Sequence, residues 1–194
     1  MKIENLIHLI TRKEIEFNLA KKKTIIARLQ LKRIERKLIE LEKIKVLILE
    51  IAKQAKQEIK VYIENIVTNA IQIVYGKEYT FKMHIEQKRD QEEIYFYLRT
   101  IDGTLLEPRK DTCAGGVLDI MSIGLKVAIL SLLNAEPILF LDEPLKNLGK
   151  YSYIGAQILK ELSKEFAIQI LLITHDDALM EIADRIYRIG DNNE

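Results

Sequence analysis

The stretch Ile138-Leu139-Phe140-Leu141-Asp142-Glu143-Pro144 decides the fold, together with Ile173-Thr174-His175-Asp176 further along the chain. Each stretch is predicted to be a buried strand that ends in polar residues. Ligands bind at the carboxyl ends of strands in open α/β sheets. There, Asp142 can hold a Mg²⁺ and Glu143 can orient an attacking water. His175 ends the second strand, within reach of the same phosphate.

A pair of glycines precedes these strands, in Cys113-Ala114-Gly115-Gly116-Val117-Leu118-Asp119 at the start of an apolar helix. Paired glycines let backbone amides approach a phosphate, and the helix dipole favours an anion there. Each of the three segments alone has a plain structural explanation, such as a turn, a solvated strand end or a capping histidine. All three in this order predict a phosphate-binding site.

The sequence contains no G-x-x-x-x-G-K-[ST], the loop whose backbone cradles the β- and γ-phosphates in P-loop nucleotide hydrolases. The three glycine–lysine neighbourhoods of the chain lack both the leading glycine and the hydroxyl residue of that loop. The chain is therefore expected to supply only part of a nucleotide-phosphate site. Alone, it is expected to bind such a phosphate weakly and to be inactive.

Composition indicates a soluble domain with an extension, since 48% of the 194 residues are hydrophobic and 30% are charged. The net charge of +1 hides an asymmetry: residues 1–60 hold 16 of the 30 Lys and Arg but 8 of the 29 Asp and Glu. This basic segment indicates either a nucleic-acid surface or a solvated helix beside an apolar seam. One cysteine, no signal peptide and no long apolar run predict a cytoplasmic protein without a membrane segment.

Residues 1–75 contain neither glycine nor proline, and apolar residues recur in them at alternating steps of three and four. About ten heptads are far more than a coiled-coil assignment needs, so residues 1–75 are predicted to be a coiled-coil arm. Its seam ends with Ile59, Tyr62, Ile66, Asn69 and Ile73, of which Asn69 is polar. One helix of a coiled coil cannot bury its own seam, so a partner helix is expected from outside these residues. We expect residues 1–75 to be the returning arm of a longer antiparallel hairpin.

Residues 76–194 are predicted to form an α/β domain. Period-two alternation between Glu78 and Ile101 predicts a hairpin, followed by a short strand at Leu105. Beyond it helices and strands alternate, which predicts a mainly parallel sheet. These elements are a helix at residues 117–134, a strand from 138, a helix at 151–164, a strand at 168–174, a helix at 177–183 and a strand at 185–189.

The chain resembles the C-terminal half of the SMC-like, SbcC-type ATPases of DNA repair and recombination. The resemblance lies in the order of its elements behind the coiled-coil arm: hairpin, glycine signature, Walker B strand, D-loop and switch histidine. The resemblance is most specific over residues 138–149 and 168–188, where the sequence is particularly similar to phage and mobile-element members of the family. The resemblance implies an α/β fold, the C-terminal lobe of an ABC-type ATPase head. A mainly parallel sheet and an antiparallel hairpin would follow the long coiled-coil helix.

The resemblance also implies roles for single residues. Asp142 would hold Mg²⁺ through water, Glu143 would polarise the hydrolytic water, and His175 would contact the γ-phosphate. The D-loop, which crosses to a partner head in the family, would comprise Lys146, Asn147, Leu148 and Gly149. Its last residue is usually aspartate in the family and is glycine here, which weakens the expected communication between heads.

The signature departs from the family pattern as well. If the signature is aligned on Ser122, Ala114 occupies the position of the serine that touches the γ-phosphate in the opposite head. If it is aligned on the glycine pair, Cys113 occupies that position. Either alternative removes a hydroxyl donor, so the amides of Gly115 and Gly116 and the helix dipole would carry the anion contact.

The resemblance implies ATP and Mg²⁺ as ligands of a site shared between heads. Implied partners are an N-terminal half that carries Walker A (a separate chain or a missing segment), a second head, DNA, and a nuclease subunit. The implied function is half of a DNA repair or recombination ATPase. The altered signature and D-loop fit an alternative, a coiled-coil scaffold whose degenerate head only dimerises. The intact Asp142, Glu143 and His175 favour the ATPase.

Overall fold

The computed structural model describes residues 2–89, 91–109, 111–133 and 136–188. The chain divides into two compact units, Met1–Lys56 and Gln57–Glu194. The predicted boundary after residue 75 is where the first helix ends, whereas the compact units divide after Lys56. The elements are α1 (Lys2–Tyr75), β1 (Tyr79–Lys88), β2 (Gln91–Thr100), β3 (Leu105–Leu106), α2 (Gly115–Leu132), β4 (Ile138–Asp142), α3 (Ser152–Glu165), β5 (Gln169–Ile173) and α4 (Asp177–Ile182), with 3₁₀ turns at Gly76–Glu78 and Gly149–Tyr151.

The first unit is the N-terminal part of α1. The absence of helix-breaking glycine and proline from residues 1–75 permits the uninterrupted helix that the sequence predicts. The apolar seam residues of this unit, such as Leu31, Leu38 and Ile48, lie exposed. That this seam packs against another helix stays a prediction.

In the second unit, α1 buries a face that is offset by one residue from the predicted seam. Ile63, Val67 and Val74 are buried, whereas Ile73 is exposed. The change of face has a local cause, because α1 packs here against α2 rather than against a partner helix. The backbone of Val67 lies so close to Gly124 of α2 that a Cβ there would sit 3.2 Å from the Val67 Cα.

Polar side chains four residues apart on α1 cover the edge of β1 that β2 leaves free. The buried Glu64 accepts hydrogen bonds from the Met83 amide at 2.8 Å and from Lys82 Nζ at 3.0 Å. Thr68 and Gln72 bond to the backbone of the same strand at 3.0 and 3.1 Å. One helical step of four residues and one strand step of two both advance about 6–7 Å, so the groups stay in register.

The predicted hairpin is confirmed. β1 and β2 pair antiparallel over their whole lengths, and β3 adds a short third strand. Phe81 and Leu98 lie opposite each other and are fully buried against the domain core.

The core helix is α2, with eight buried residues. Among the described residues it is the one helix long and apolar enough to cross a membrane by length and composition, which the sequence expectation overlooked. Burial of these eight residues in the core accounts for part of that apolar composition.

β4 and β5 form a parallel pair connected through α3. The predicted burial of these strands is right for one face only. Leu141 is buried, but Phe140 and Ile173, on the opposite face, are 74% and 68% exposed. Parallel sheets are normally covered on both faces. The α/β class is confirmed, with one small antiparallel and one small parallel sheet rather than a single mainly parallel sheet.

The predicted last strand is wrong in its described part. Residues 185–188 have no regular structure, and Ile189 lies outside the described residues. A strand needs a neighbour for its backbone hydrogen bonds. None of the five described strands pairs with this segment.

We expect Glu64→Ala to lower the free energy of unfolding by about 2–3 kcal/mol, because the buried Met83 amide and the Lys82 ammonium lose their acceptor. Chemical denaturation of the full chain measures this change. Asn69→Ala, at an exposed position of the same helix, is the control and should stay within about 0.5 kcal/mol. Equal effects of the two substitutions would contradict the assigned role of Glu64.

The exposed seam of the first unit should drive association. Leaving the larger apolar seam residues in water costs roughly 1 kcal/mol or more for each. Without a partner helix, the chain should self-associate at micromolar concentration or fray from its N-terminus. Sedimentation and circular dichroism decide the matter: a monomer with a fully stable arm would refute the coiled-coil interpretation.

Candidate functional site

The parallel pairing of β4 and β5 continues one residue past β4 and aligns the polar ends of the two strands. The Glu143 amide donates to the Ile173 carbonyl at 2.9 Å. Two residues after Ile173, His175 places Nδ1 2.9 Å from Oε1 of Glu143. The structure thus brings together the two residues predicted to be catalytic.

The backbone around Pro144 is strained. Glu143 has φ +44° and Leu145 has φ +67°, both in the left-handed region that side chains other than glycine rarely adopt. Such conformations cost on the order of 1–3 kcal/mol each and concentrate at functional sites. The turn directs Glu143 toward His175 at the strand ends.

The contact changes the protonation of His175. The hydrogen bond to Glu143, the charge of Glu143 and the nearby Asp176 together raise the imidazole pKa above its ordinary value, against a small opposing effect of desolvation. His175 is 86% exposed, so the charged ring stays accessible to an incoming anion. At neutral pH it therefore carries more positive charge than a free imidazole does.

Asp142 ends β4 with its residue exposed, on the same uncovered face as Phe140. The described residues contain no cluster of three or more His, Cys, Asp or Glu that could hold a metal ion. Mg²⁺ is commonly bound by one or two carboxylates together with substrate phosphates. Asp142 therefore fits a Mg²⁺ that a nucleotide brings with it, rather than a free-standing metal site.

The two alternatives for the signature residue differ in exposure. Cys113 is buried, with its sulfur 3.8 Å from the Glu107 carbonyl. Ala114 is exposed at the N-cap of α2, and no side chain caps that helix. The amides of Gly115 and Gly116 stand in its first turn.

The D-loop lies directly on the two glycines. Asp119 accepts three hydrogen bonds from Asn147: one from the backbone amide at 3.0 Å and two from the side-chain amide at 3.1 Å. A Cβ on Gly115 would sit 3.0 Å from the Asn147 Cβ. A Cβ on Gly116 would sit 3.1 Å from the Asn147 carbonyl oxygen and collide with the Tyr75 hydroxyl. Both glycines therefore have a packing role.

The other D-loop residues have different surroundings. Lys146 is exposed and Leu148 is buried. Gly149, which replaces the usual aspartate, has φ +53°. No atom lies within 4 Å of where its Cβ would be, so a side chain there would meet backbone strain rather than a steric clash.

The predicted site residues form two groups. Within the described residues, no hydrogen bond or ion pair joins Glu143 and His175 to the residues 113–116. The signature and D-loop share one cluster, and the strand ends form the other.

Sequence reasoning missed three polar residues of this region: Asp119, Ser152 and Asp176. Asp119 and Asn147 are distant in sequence, and no local pattern announces their contact. The Ser152 hydroxyl donates to Asp176, which also caps α4 by accepting from the Ala178 amide at 2.9 Å. An aspartate before a helix is a recognisable N-cap signal, so Asp176 was within reach of sequence reasoning.

No known protein-family model matches the chain. It is 46% identical over 70 residues to a lipoprotein-releasing system ATP-binding protein, LolD 2, of Rhodopirellula baltica, covering 34% of this chain and 27% of that protein. It is 28% identical over 149 residues to the DNA double-strand break repair Rad50 ATPase of Sulfurisphaera tokodaii, covering 72% of this chain and 16% of that protein. The chain thus spans less than a third of these relatives' lengths.

Solved structures agree on the fold. A chain from work on ATP-driven dimerisation and DNA-stimulated activation of SMC ATPases matches with a TM-score of 0.55 and 18% identity, covering 73% of this chain and 84% of that one. An Smc head domain with a coiled coil and joint, from Pyrococcus yayanosii, matches with a TM-score of 0.55 and 22% identity, covering 80% and 30%. The chain has the fold of the C-terminal half of an SMC-like ABC ATPase head. The predicted resemblance is confirmed.

The pKa of His175 offers a direct test of the contact at the strand ends. We expect NMR titration to give His175 a pKa above 6.5, and Glu143→Gln to lower it toward that ordinary value. Because the pKa is raised in the folded state, the stabilisation from this pair is present below about pH 6.5 and is lost as pH rises through the folded pKa. The other two histidines serve as internal references. A His175 pKa insensitive to Glu143→Gln would exclude the contact.

Proposed function

We propose that this chain is the C-terminal half of an SMC-like DNA repair or recombination ATPase, which hydrolyses ATP once a Walker A-bearing N-terminal half completes the head. The observation that carries this proposal is the 2.9 Å contact between Glu143 and His175 at adjacent parallel strand ends. A carboxylate that orients water and a cationic ring that meets phosphate are the groups that phosphoryl transfer requires.

Each strand-end residue has a separate role in this proposal. Asp142 would hold Mg²⁺, which supplies charge neutralisation for the phosphates when it is bound. Glu143 would orient and polarise the attacking water. His175 would donate to the γ-phosphate, so a bound phosphate competes with Glu143 for the imidazole and frees the carboxylate for water.

The uncovered face of the parallel sheet supports completion by another segment. Phe140 and Ile173 present apolar surface beside Asp142, on the face opposite the domain core. Burial of such surface is favourable by about 25 cal/mol per Å². A Walker A-bearing half packed on this face would cover it and bring the missing phosphate loop to the strand ends.

The signature and D-loop cluster would act on the nucleotide of a second head. The exposure of Ala114 and the burial of Cys113 support Ala114 as the residue at the serine position. The amides of Gly115 and Gly116, at a helix start without a side-chain cap, would then supply the anion contact.

We further propose that DNA binds the basic arm and that the protein acts in the cytoplasm. The related Rad50 ATPase is named for DNA double-strand break repair, and one similar solved chain for DNA-stimulated activation. Another solved Smc head, with a TM-score of 0.50 and 19% identity, is bound to the winged-helix domain of ScpA. None of these relatives is described with a nuclease subunit, and the proposal includes none.

The alternative is a scaffold whose head dimerises without hydrolysis. Gly149 in place of aspartate and the missing signature hydroxyl favour it. The strained, paired geometry of Glu143 favours hydrolysis, since strain of this kind has no structural benefit in a decayed site.

Hydrolysis distinguishes the two functions. The chain alone should show negligible ATP turnover, whereas the completed head should turn ATP over. Glu143→Gln should lower kcat of the completed head by about 10²- to 10⁴-fold and preserve ATP-driven head association, because only water activation is lost. Glu161→Gln, at an exposed position of α3, is the matched control.

Two results would contradict the ATPase proposal. The first is ATP turnover by the chain alone that Glu143→Gln abolishes, because the site would then be self-sufficient. The second is association of completed heads without any hydrolysis, which would favour the scaffold. Loss of ATP binding in Glu143→Gln would assign this residue a structural role.

DNA binding by the full chain should fall steeply with salt and ignore sequence, because phosphate contacts release counterions. Replacing Lys21, Lys22 and Lys23 by glutamine should lower the slope of log K against log salt by about 0.9 for each lost contact. Lys126→Gln and Lys164→Gln, in the second unit, are controls. Flat salt dependence in a filter-binding or anisotropy titration would reject the basic arm as the DNA surface.

A further inference from the structure

One short stretch, Lys146–Ser152, links the two clusters of the candidate site, and we refer to it as the bridging segment. Its first end is fixed to the first turns of α2 by the hydrogen bonds from Asn147 to Asp119. Hydrogen bonds to a carboxylate are roughly twice as strong as neutral ones. The backbone of Gly115 packs against Asn147, since a Cβ on Gly115 would sit 3.0 Å from the Asn147 Cβ.

The other end of the bridging segment is fixed to the histidine loop. The Ser152 hydroxyl donates to Asp176 Oδ2. The Asp176 amide donates to Thr174 Oγ1 at 3.0 Å, so the residues on both sides of His175 bond to each other. Ser152 thus bonds to the residue that directly follows His175.

Backbone hydrogen bonds and side-chain packing hold the interior of the bridging segment. The Leu148 amide donates to the Leu145 carbonyl at 3.0 Å, and the Tyr151 amide donates to the Leu148 carbonyl at 3.1 Å. The side chain of Leu148 packs so tightly on α3 that a Cβ on Gly155 would lie 2.5 Å from it. These contacts give a continuous path of hydrogen bonds and packing from Asn147 to Ser152.

We propose that the bridging segment couples the signature turn of α2 to His175, with Asp119 and Ser152 as positioning residues. The functional meaning rests on the proposed ATPase: anion contact at the signature of this chain would adjust the histidine that meets the nucleotide in its own head. The family resemblance assigns neither residue a role, and the D-loop's expected contact with a second head does not involve them.

The test follows the His175 ring by NMR in the full chain. Asn147→Ala and Ser152→Ala should each shift the His175 Cε1–Hε1 cross-peak. Ser152→Thr, which keeps the hydroxyl, should leave the cross-peak at its wild-type position. In the Ser152→Ala background, Asn147→Ala should add no further movement, because the link is already broken. Asp119→Asn, which retains one acceptor oxygen, replaces Asn147→Ala if that variant does not fold.

The matched control is Ser163→Ala. This substitution also removes a hydroxyl from α3, which donates to the Ile168 carbonyl at 2.7 Å. Ser163 lies near the end of α3 opposite to Ser152. The cross-peak should move less in this variant than in Ser152→Ala. Movement confined to the neighbourhood of residues 115–119 and 145–149 after Asn147→Ala, or additive movement in the double variant, would overturn the coupling.

Kinetics of the completed head separate this inference from the proposed function. Ser152→Ala should lower kcat about fivefold through the loss of one hydrogen bond and leave the KM for ATP unchanged. A completed head that never hydrolyses ATP would sink the proposed function, while the NMR measurement would still decide the coupling. An active head with a His175 cross-peak unaffected by Ser152→Ala would sink the coupling alone.

Discussion

The parallel register of β4 and β5 is the constraint on which the candidate site depends. Asp142 lies opposite Ile173, and the Glu143 amide extends the ladder by one hydrogen bond. This places the carboxylate of Glu143 against the ring of His175. A slip of one residue would exchange the two faces of a strand and separate the pair. The buried Leu141, which fixes the inner face of β4, therefore also positions the chemistry at its end.

A second constraint acts on the glycine pair. Glycine before a helix is commonly explained by phosphate approach, but here packing already accounts for it. A Cβ on Gly115 would sit 3.0 Å from the Asn147 Cβ, and a Cβ on Gly116 would collide with the Tyr75 hydroxyl. The absence of side chains at Gly115 and Gly116 serves packing within the head. Loss of the signature hydroxyl therefore need not relax the requirement for glycine, and the pair alone does not establish phosphate binding.

Sequence patterns predicted the elements well where periodicity was strong. The long α1, the hairpin and the β4–α3–β5 unit all lie close to their predicted positions. Glu143 and His175, predicted at the ends of two strands, are in contact. The patterns failed where tertiary context decides. The heptad phase could not reveal that α1 turns Ile63 and Val67 inward against α2. Residues 185–189 were predicted to be a strand, but their described part, residues 185–188, pairs with none of the described strands. The bond between Asp119 and Asn147 follows from close packing of distant segments and has no local signature.

The central claim is that this chain forms half of a composite ATP site at the ends of β4 and β5. The most direct measurement is a structure of the completed head, as its Glu143→Gln variant, with ATP and Mg²⁺. The account predicts that Phe140 and Ile173 are covered by the Walker A-bearing half, and that His175 has left residue 143 for the γ-phosphate. A nucleotide bound elsewhere, with this sheet face still open to solvent, would contradict it.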